Sequence, residues 1–355
     1  MILVSAPWIG EEEKAAAQRV LESGWFIHGK ELEGFENEFA AYVGTNFGVG
    51  CSNGTTAIEL ALQGLGIGPG DQVIVPSHTA FPTVEPIYNL GAIPVFVDIT
   101  EATYTLDPQE LEQKYTEKVK AAIGVHLYGH PFEVKPVWEF CNEKGIFMIE
   151  DACQAHGAEF HGRKVGGFGE VACFSFYPSK NMTTGGDGGM VVTNNAALAE
   201  NIRMLRNHGQ RTRYDSAMVG TNYRLSELHA AIGREQLKKL EVFLQRRREI
   251  AKIYQEELPA GVILPVEKEW ARHVYHLFVV RSERRDFLKA ELAKREIASE
   301  IHYPIPVHKL EAVRSDASLP VTERVVKEIL SVPMHPRLTD DDVMTVARAI
   351  RDVLK

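Results

Sequence analysis

Cysteine is scarce in this chain, and no two cysteines stand close together. Cys51, Cys141, Cys153 and Cys173 are the only four among 355 residues, with no C-x-x-C pair. Neither a zinc ribbon nor a disulfide framework is indicated, and a reduced, cytoplasmic setting is expected. Long apolar runs are missing too. No stretch of about 18 apolar residues occurs, which argues against a membrane span. Residues 1–10 hold no basic segment and too short an apolar one for a secretory leader, so export by that route is not expected. A basic excess is also absent. With 39 basic and 48 acidic residues and a formal charge of -9, the chain lacks the broad positive surface of a nucleic-acid protein, and any positive potential has to be local.

What is present is the texture of a large globular chain. Its length predicts two domains or one large one, burying roughly three quarters of the surface that the unfolded chain exposes. Short β-rich apolar runs at 73–75, 95–97, 121–125, 147–149, 172–176 and 190–192 alternate with helix-period segments such as 56–65, 134–141 and 196–205. That alternation predicts an α/β fold, a mainly parallel sheet with helices on both faces and ligands beyond the carboxyl ends of its strands. A charged helical stretch over 225–258 then leads into a second, smaller α/β domain. It holds a strand at 274–280, a helix at 285–295, an extended Pro-rich piece at 302–308 and a final amphipathic helix. The last begins at Thr339 with an acidic first turn and aligns Val343, Val346, Ala347, Ile350 and Leu354 on one face. The division is drawn at 1–235 and 236–355.

Three segments can carry chemistry. Cys51-Ser52-Asn53-Gly54-Thr55-Thr56 follows a strand and opens a helix. Small residues there leave amides and hydroxyls free for an anion or phosphate, although alone the segment reads first as an N-cap and turn. Asp151 ends a buried strand, where a carboxylate needs a cation or hydrogen-bond donors. It could hold a proton on a buried heterocyclic nitrogen, or cap the next turn. His156 is read first as a satisfied core histidine. Lys180 leaves a strand into Ser179, Asn181, Thr183, Thr184 and a glycine run. Ligands can approach closely in such surroundings, and a desolvated lysine can act as nucleophile or base. His126 and His130 lie four apart, but Gly129 and Pro131 deny them a helix, so no metal site is expected.

In their order these segments resemble the DegT/StrS family of pyridoxal-phosphate sugar aminotransferases, within the aspartate aminotransferase fold type. The resemblance spans nearly the whole chain. It includes Gly54-Thr55, Pro76-Ser77-His78-Thr79, Glu150-Asp151-Ala152 with Gln154-Ala155-His156-Gly157, and Phe174-Ser175-Phe176 leading to Lys180-Asn181. Further on come Arg206-Asn207-His208-Gly209, Asn222-Tyr223-Arg224 and His302-Tyr303-Pro304.

The resemblance implies a three-layer large domain, and a role for each matching residue. Lys180 would form the Schiff base with the cofactor and move protons, and Asp151 would pair with the pyridinium nitrogen. Gln154 would contact the ring hydroxyl. Gly54, Thr55 and Ser175 would hold the phosphate. Asn222 would reach the phosphate of a neighbouring subunit's cofactor, which implies a homodimer with shared sites. The family often carries an aromatic residue after Thr79, but here Ala80 stands there. His78 or Phe81 is left to stack on the ring, and His78 is preferred. Another departure is Asp187, where Glu is common.

The implied reaction moves an amine from an amino acid, with L-glutamate expected, to a keto group on a nucleotide-linked sugar. The 3-keto and 4-keto positions both remain open. A keto-cyclitol acceptor is the nearest variant. A sugar dehydratase would be expected to replace Lys180, and a regulatory relative to lose some of Lys180, Asp151 and Ser175; all three residues are present. The substrate-facing candidates His208, His302 and Tyr303 each have a structural role as an alternative.

Overall fold

A computed structural model describes residues 1–313 and 315–355. Two helices come first, α1 (Glu11–Ser23) and α2 (Lys30–Val43). Then β1 (Phe47–Cys51), α3 (Gly54–Gly64), β2 (Gln72–Pro76), α4 (Phe81–Asn89), β3 (Ile93–Val97), α5 (Leu111–Lys114), β4 (Val119–Val125), α6 (Val134–Lys144) and β5 (Phe147–Asp151) alternate. After a small hairpin of β6 (Glu159–Phe160) and β7 (Arg163–Lys164) follow β8 (Val171–Ser175), β9 (Gly189–Thr193) and α7 (Ala196–Leu205). A second hairpin, β10 (Gln210–Thr212) and β11 (Asp215–Ser216), precedes the 31-residue α8 (Glu227–Glu257).

Seven strands form the central sheet in the order β1-β9-β8-β5-β4-β2-β3. Strand β9 runs antiparallel to both its neighbours, and the other pairings are parallel. The strands read as continuous apolar runs because both faces are covered. Alternate residues therefore enter different cores: Val73, Val75, Ala121 and Ile123 join one cluster, and Ile74 and Ala122 join the other. The expected mainly parallel α/β layering is what the chain forms.

The C-terminal part comprises β12 (Ala271–Arg272), β13 (Phe278–Arg281), α9 (Arg285–Lys294), α10 (Pro320–Val325), β14 (Ile329–Val332) and α11 (Asp340–Leu354). Strand β13 pairs with β14. Together with Ile250, Ala251 and Tyr254 of α8, these elements build a third core that includes Phe278, Leu288, Val343 and Ile350. Helix α8 crosses residue 235 unbroken, and its Leu240 and Leu244 still pack against the sheet's helical layer. Helix α11 begins as read from the sequence: Thr339 and Asp342 close a reciprocal capping box.

Every strand of the large sheet except β9 ends on one edge, so the segments that follow β1, β2, β4, β5 and β8 gather there. Buried polar pins hold the C-terminal part against this edge. The Asp98 carboxylate accepts the amides of Val321 and Thr322 at 2.8 Å, and Ser77 Oγ meets His308 Nδ1 at 2.5 Å.

Candidate active site

A cavity of about 560 Å³ opens at that edge. Gly54, Thr55, Asp151, Gln154, Ser175 and Lys180 all line it. The sheet explains how residues so distant in sequence meet. Asp151 and Ser175 are the last residues of the neighbouring strands β5 and β8, Gly54 and Thr55 are the first of α3, and Lys180 lies on the β8–β9 connection.

Local chemistry shapes the α3 end. Asn53 Oδ1 accepts the Thr56 amide at 2.8 Å, and Thr56 Oγ1 accepts the Asn53 amide at 3.1 Å. That box secures the cap and leaves the first-turn amides of Gly54 and Thr55 without intrahelical acceptors. A side chain at Gly54 is excluded, since its Cβ would stand 2.7 Å from Ser175 Cβ and 3.0 Å from Cys153 Sγ. The backbone is thereby held close to the Ser175 hydroxyl, as a phosphate cradle requires.

Asp151 is buried at 4% exposure. Its Oδ1 accepts the Cys153 amide at 3.0 Å, and its Oδ2 accepts the Thr83 hydroxyl at 2.8 Å. Gln154 is oriented on both sides: its Oε1 accepts the Tyr128 amide at 2.8 Å, and its Nε2 donates to the Tyr303 hydroxyl at 3.1 Å. The amide nitrogen thus faces the cavity as a donor, which suits a ring oxygen. Burial lowers the pKa of Lys180 from the usual 10.5, against the opposing pull of Cys153 and Asp151. More of its amine is neutral near neutral pH, as nucleophilic and base chemistry need. A phosphate cradle, an amide donor, a strand-end carboxylate and a desolvated amine together fit pyridoxal phosphate.

Two expected residues lie elsewhere. His78 is turned away from the cavity, with Nε2 at 2.8 Å from the Tyr128 hydroxyl and its ring edge-on to Tyr104 and Tyr128. This hydrogen bond and the aromatic packing hold it outside the cavity lining, to which Phe81, Tyr177 and Tyr303 contribute aromatic rings. Asn222 is exposed and bridges Asn207 in an antiparallel pair, outside this chain's own cavity lining. His302 bonds Ser331 Oγ at 2.9 Å, His156 packs among Phe39, Phe174 and Phe176, and His126 pairs with Glu150 at 3.1 Å.

Sequence reasoning passed over Thr83 and left Tyr303 undecided, and both line the cavity. Thr79 and Thr83 do carry a signal, being four residues apart around a helix start. Tyr303 comes from the C-terminal part, and nothing in its local pattern announces Gln154, 149 residues earlier.

The chain matches the DegT/DnrJ/EryC1/StrS aminotransferase family over residues 7–351. It belongs to that family. Among its relatives is dTDP-3-amino-3,4,6-trideoxy-alpha-D-glucose transaminase of Streptomyces venezuelae, 45% identical and covering 96% of this chain and 92% of that one. The UDP-N-acetyl-3-dehydro-alpha-D-glucosamine 3-aminotransferase of Acidithiobacillus ferrooxidans is 40% identical over 95% of this chain and 92% of its own. A crystal structure of S. venezuelae DesV in complex with a ketimine intermediate superposes with a TM-score of 0.95 at 43% identity, covering 99% of each chain. As a DegT/DnrJ/EryC1/StrS protein the chain is an aminotransferase, and the resemblance read from its sequence holds. No helix among the described residues is long and apolar enough to cross a membrane.

Proposed function

We propose that this aminotransferase carries an amine from L-glutamate to the C3 keto group of a nucleotide-linked sugar, with pyridoxal phosphate as cofactor. The observation that carries the reading is the convergence of Lys180, Asp151 and the Gly54–Ser175 cradle on one cavity. The choice of C3 over C4 rests on relatives, since both sugar aminotransferases described above are named for nitrogen at position 3.

Bound in this cavity, pyridoxal phosphate supplies an electron sink for the carbanion that amine transfer passes through. The chain's own groups do the rest. Gly54 and Thr55 amides and the Ser175 hydroxyl hold the phosphate. Asp151 keeps a proton on the ring nitrogen, and the Gln154 Nε2 donates to the ring oxygen. Lys180, whose desolvated amine suits both nucleophile and base work, would anchor the cofactor at its carbonyl carbon and would carry the proton that amine transfer moves. Phe81 covers the ring in place of the missing aromatic at Ala80. The phenol of Tyr303, its pKa raised by burial, stays protonated at the cavity wall. Two copies form the working unit, with Asn222 of each reaching the other's phosphate, and the enzyme works in the cytoplasm.

The test is a pair of titrations. Borohydride reduction of the cofactor-loaded enzyme, followed by peptide mapping, should place the label on Lys180. Enzyme converted by glutamate to the amine form should recover its visible absorption with a nucleotide-linked 3-keto sugar. Faster recovery with a 4-keto sugar or a keto-cyclitol would overturn the acceptor assignment, and label on another lysine would overturn the role of Lys180.

A further inference from the structure

Asp151 has a second layer of support that its proposed role does not by itself require. Thr83 Oγ1 lies 2.8 Å from Asp151 Oδ2, and Thr79 Oγ1 lies 2.8 Å from Thr83 Oγ1. All three side chains are buried: Thr79 and Thr83 are 2% exposed and Asp151 4%. The proton order in this chain is determined. An ionised carboxylate only accepts, so Thr83 donates to Asp151, and Thr79 in turn donates to Thr83.

The frame that holds the relay is rigid. Thr79 precedes α4 and Thr83 lies in its first turn, so the pair bridges the start of that helix. Asp151 ends β5, where its other oxygen is taken by the Cys153 amide. Both carboxylate oxygens are therefore committed before any ligand arrives, and rotation of the carboxyl plane would break a bond on either side. Charge-assisted hydrogen bonds of this kind are stronger than neutral ones, and burial keeps water from replacing them.

We infer that Thr83, steered by Thr79, is a positioning residue that fixes the plane of the Asp151 carboxylate and so sets the protonation of the cofactor's ring nitrogen. The inference rests on the reading that Asp151 faces that nitrogen. The hydroxyl's work is directional: it holds one lobe of the carboxylate while the remaining lone pairs stay aimed into the cavity.

The experiment loads the enzyme with pyridoxal phosphate carrying nitrogen-15 in the ring and records the ring-nitrogen resonance. In wild type and in Thr83→Ser, which keeps the hydroxyl, the protonated position is expected. In Thr83→Val the resonance should move toward the unprotonated position, and kcat for amine transfer should fall about tenfold, the weight of one hydrogen bond to a charged group, with KM nearly unchanged. Thr83→Ala and Thr79→Val carry the same direction, so one misfolded variant leaves the test standing. Wild-type resonance and turnover in two folded variants that lack a relay hydroxyl would overturn the inference. Asp151→Asn separates it from the reading beneath. If that variant loses the protonated resonance while the threonine variants keep it, the relay falls and the Asp151 reading stands. If Asp151→Asn itself keeps the resonance, both fall.

Discussion

Gly54 and Ser175 approach so closely that a Cβ on Gly54 would stand 2.7 Å from the Cβ of Ser175. Two elements, the start of α3 and the end of β8, are thus pressed together with no room for a methyl group. Neither neighbour is the far end of a flexible side chain, so the helix start itself has to shift. Gly54→Ala is expected to weaken pyridoxal phosphate binding by about tenfold or more, the usual scale of overpacking in a tight contact. Titration of the apoenzyme with cofactor, followed by its absorbance, measures the loss.

The burial of Lys180 makes cofactor capture dependent on pH. Desolvation lowers its pKa from 10.5, and Asp151 partly offsets the shift. The neutral amine is the reactive form, so the rate of capture should rise with pH to a midpoint below 10.5. Asp151→Asn removes the attraction that favours the ammonium, so the midpoint should move lower still. Stopped-flow mixing of apoenzyme with pyridoxal phosphate over a pH series reads both midpoints. A midpoint that rises in the variant would contradict the electrostatic assignment.

Glu150 and Asp151 are adjacent in β5, yet their side chains leave on opposite faces and serve different ends. Glu150 turns away from the cavity, where it meets His126 and accepts the amides of Gly166, Phe168 and Gly169 at 2.7 to 2.8 Å. Burial would raise its pKa, but His126 and these amides outweigh it and hold the carboxyl below 4.5. Glu150→Ala strips a buried histidine and three amides of their acceptor, and should lower stability by about 3 kcal/mol in urea unfolding at neutral pH. The unfolded chain binds the proton more readily here, so the carboxylate's contribution is complete above about 4.5 and fades as pH falls through the lower folded value. The gap between wild type and variant should therefore narrow in acid.

Much of this architecture is legible in one sequence, and the exceptions have physical causes. The apolar runs at 73–75 and 121–125 are strands because helices cover both faces of the sheet. The same run at 190–192 conceals that β9 points the other way: all five of its residues are buried, so periodicity carries no sign of direction. The Lys180, Asp151 and Gly54 segments stand out because their residue types are unusual at strand and helix ends. The position of His78 depends on Tyr128, 50 residues away, and on the packing of Tyr104. Local pattern cannot encode such a partner, so the sequence by itself does not separate His78 from Phe81, which lines the cavity.

Asn222 offers a test that reaches beyond a single chain. It is exposed and anchored through its bridge to Asn207, beside the β10–β11 hairpin and its cluster of Arg211, Arg213 and Arg224. An exposed amide outside the cavity lining has no phosphate to serve in its own chain. If it completes the cradle of a second copy, the lesions in Lys180→Ala and Asn222→Ala lie in different subunits' contributions to one site. Each homodimer would then carry two damaged sites. A mixed dimer would gather both lesions in one site and leave the other intact. Co-expression with two affinity tags and sequential purification should yield mixed dimers with up to about half of wild-type turnover, because one site of two is whole. Activity no higher than the mean of the two parent variants would show that Asn222 serves its own chain alone.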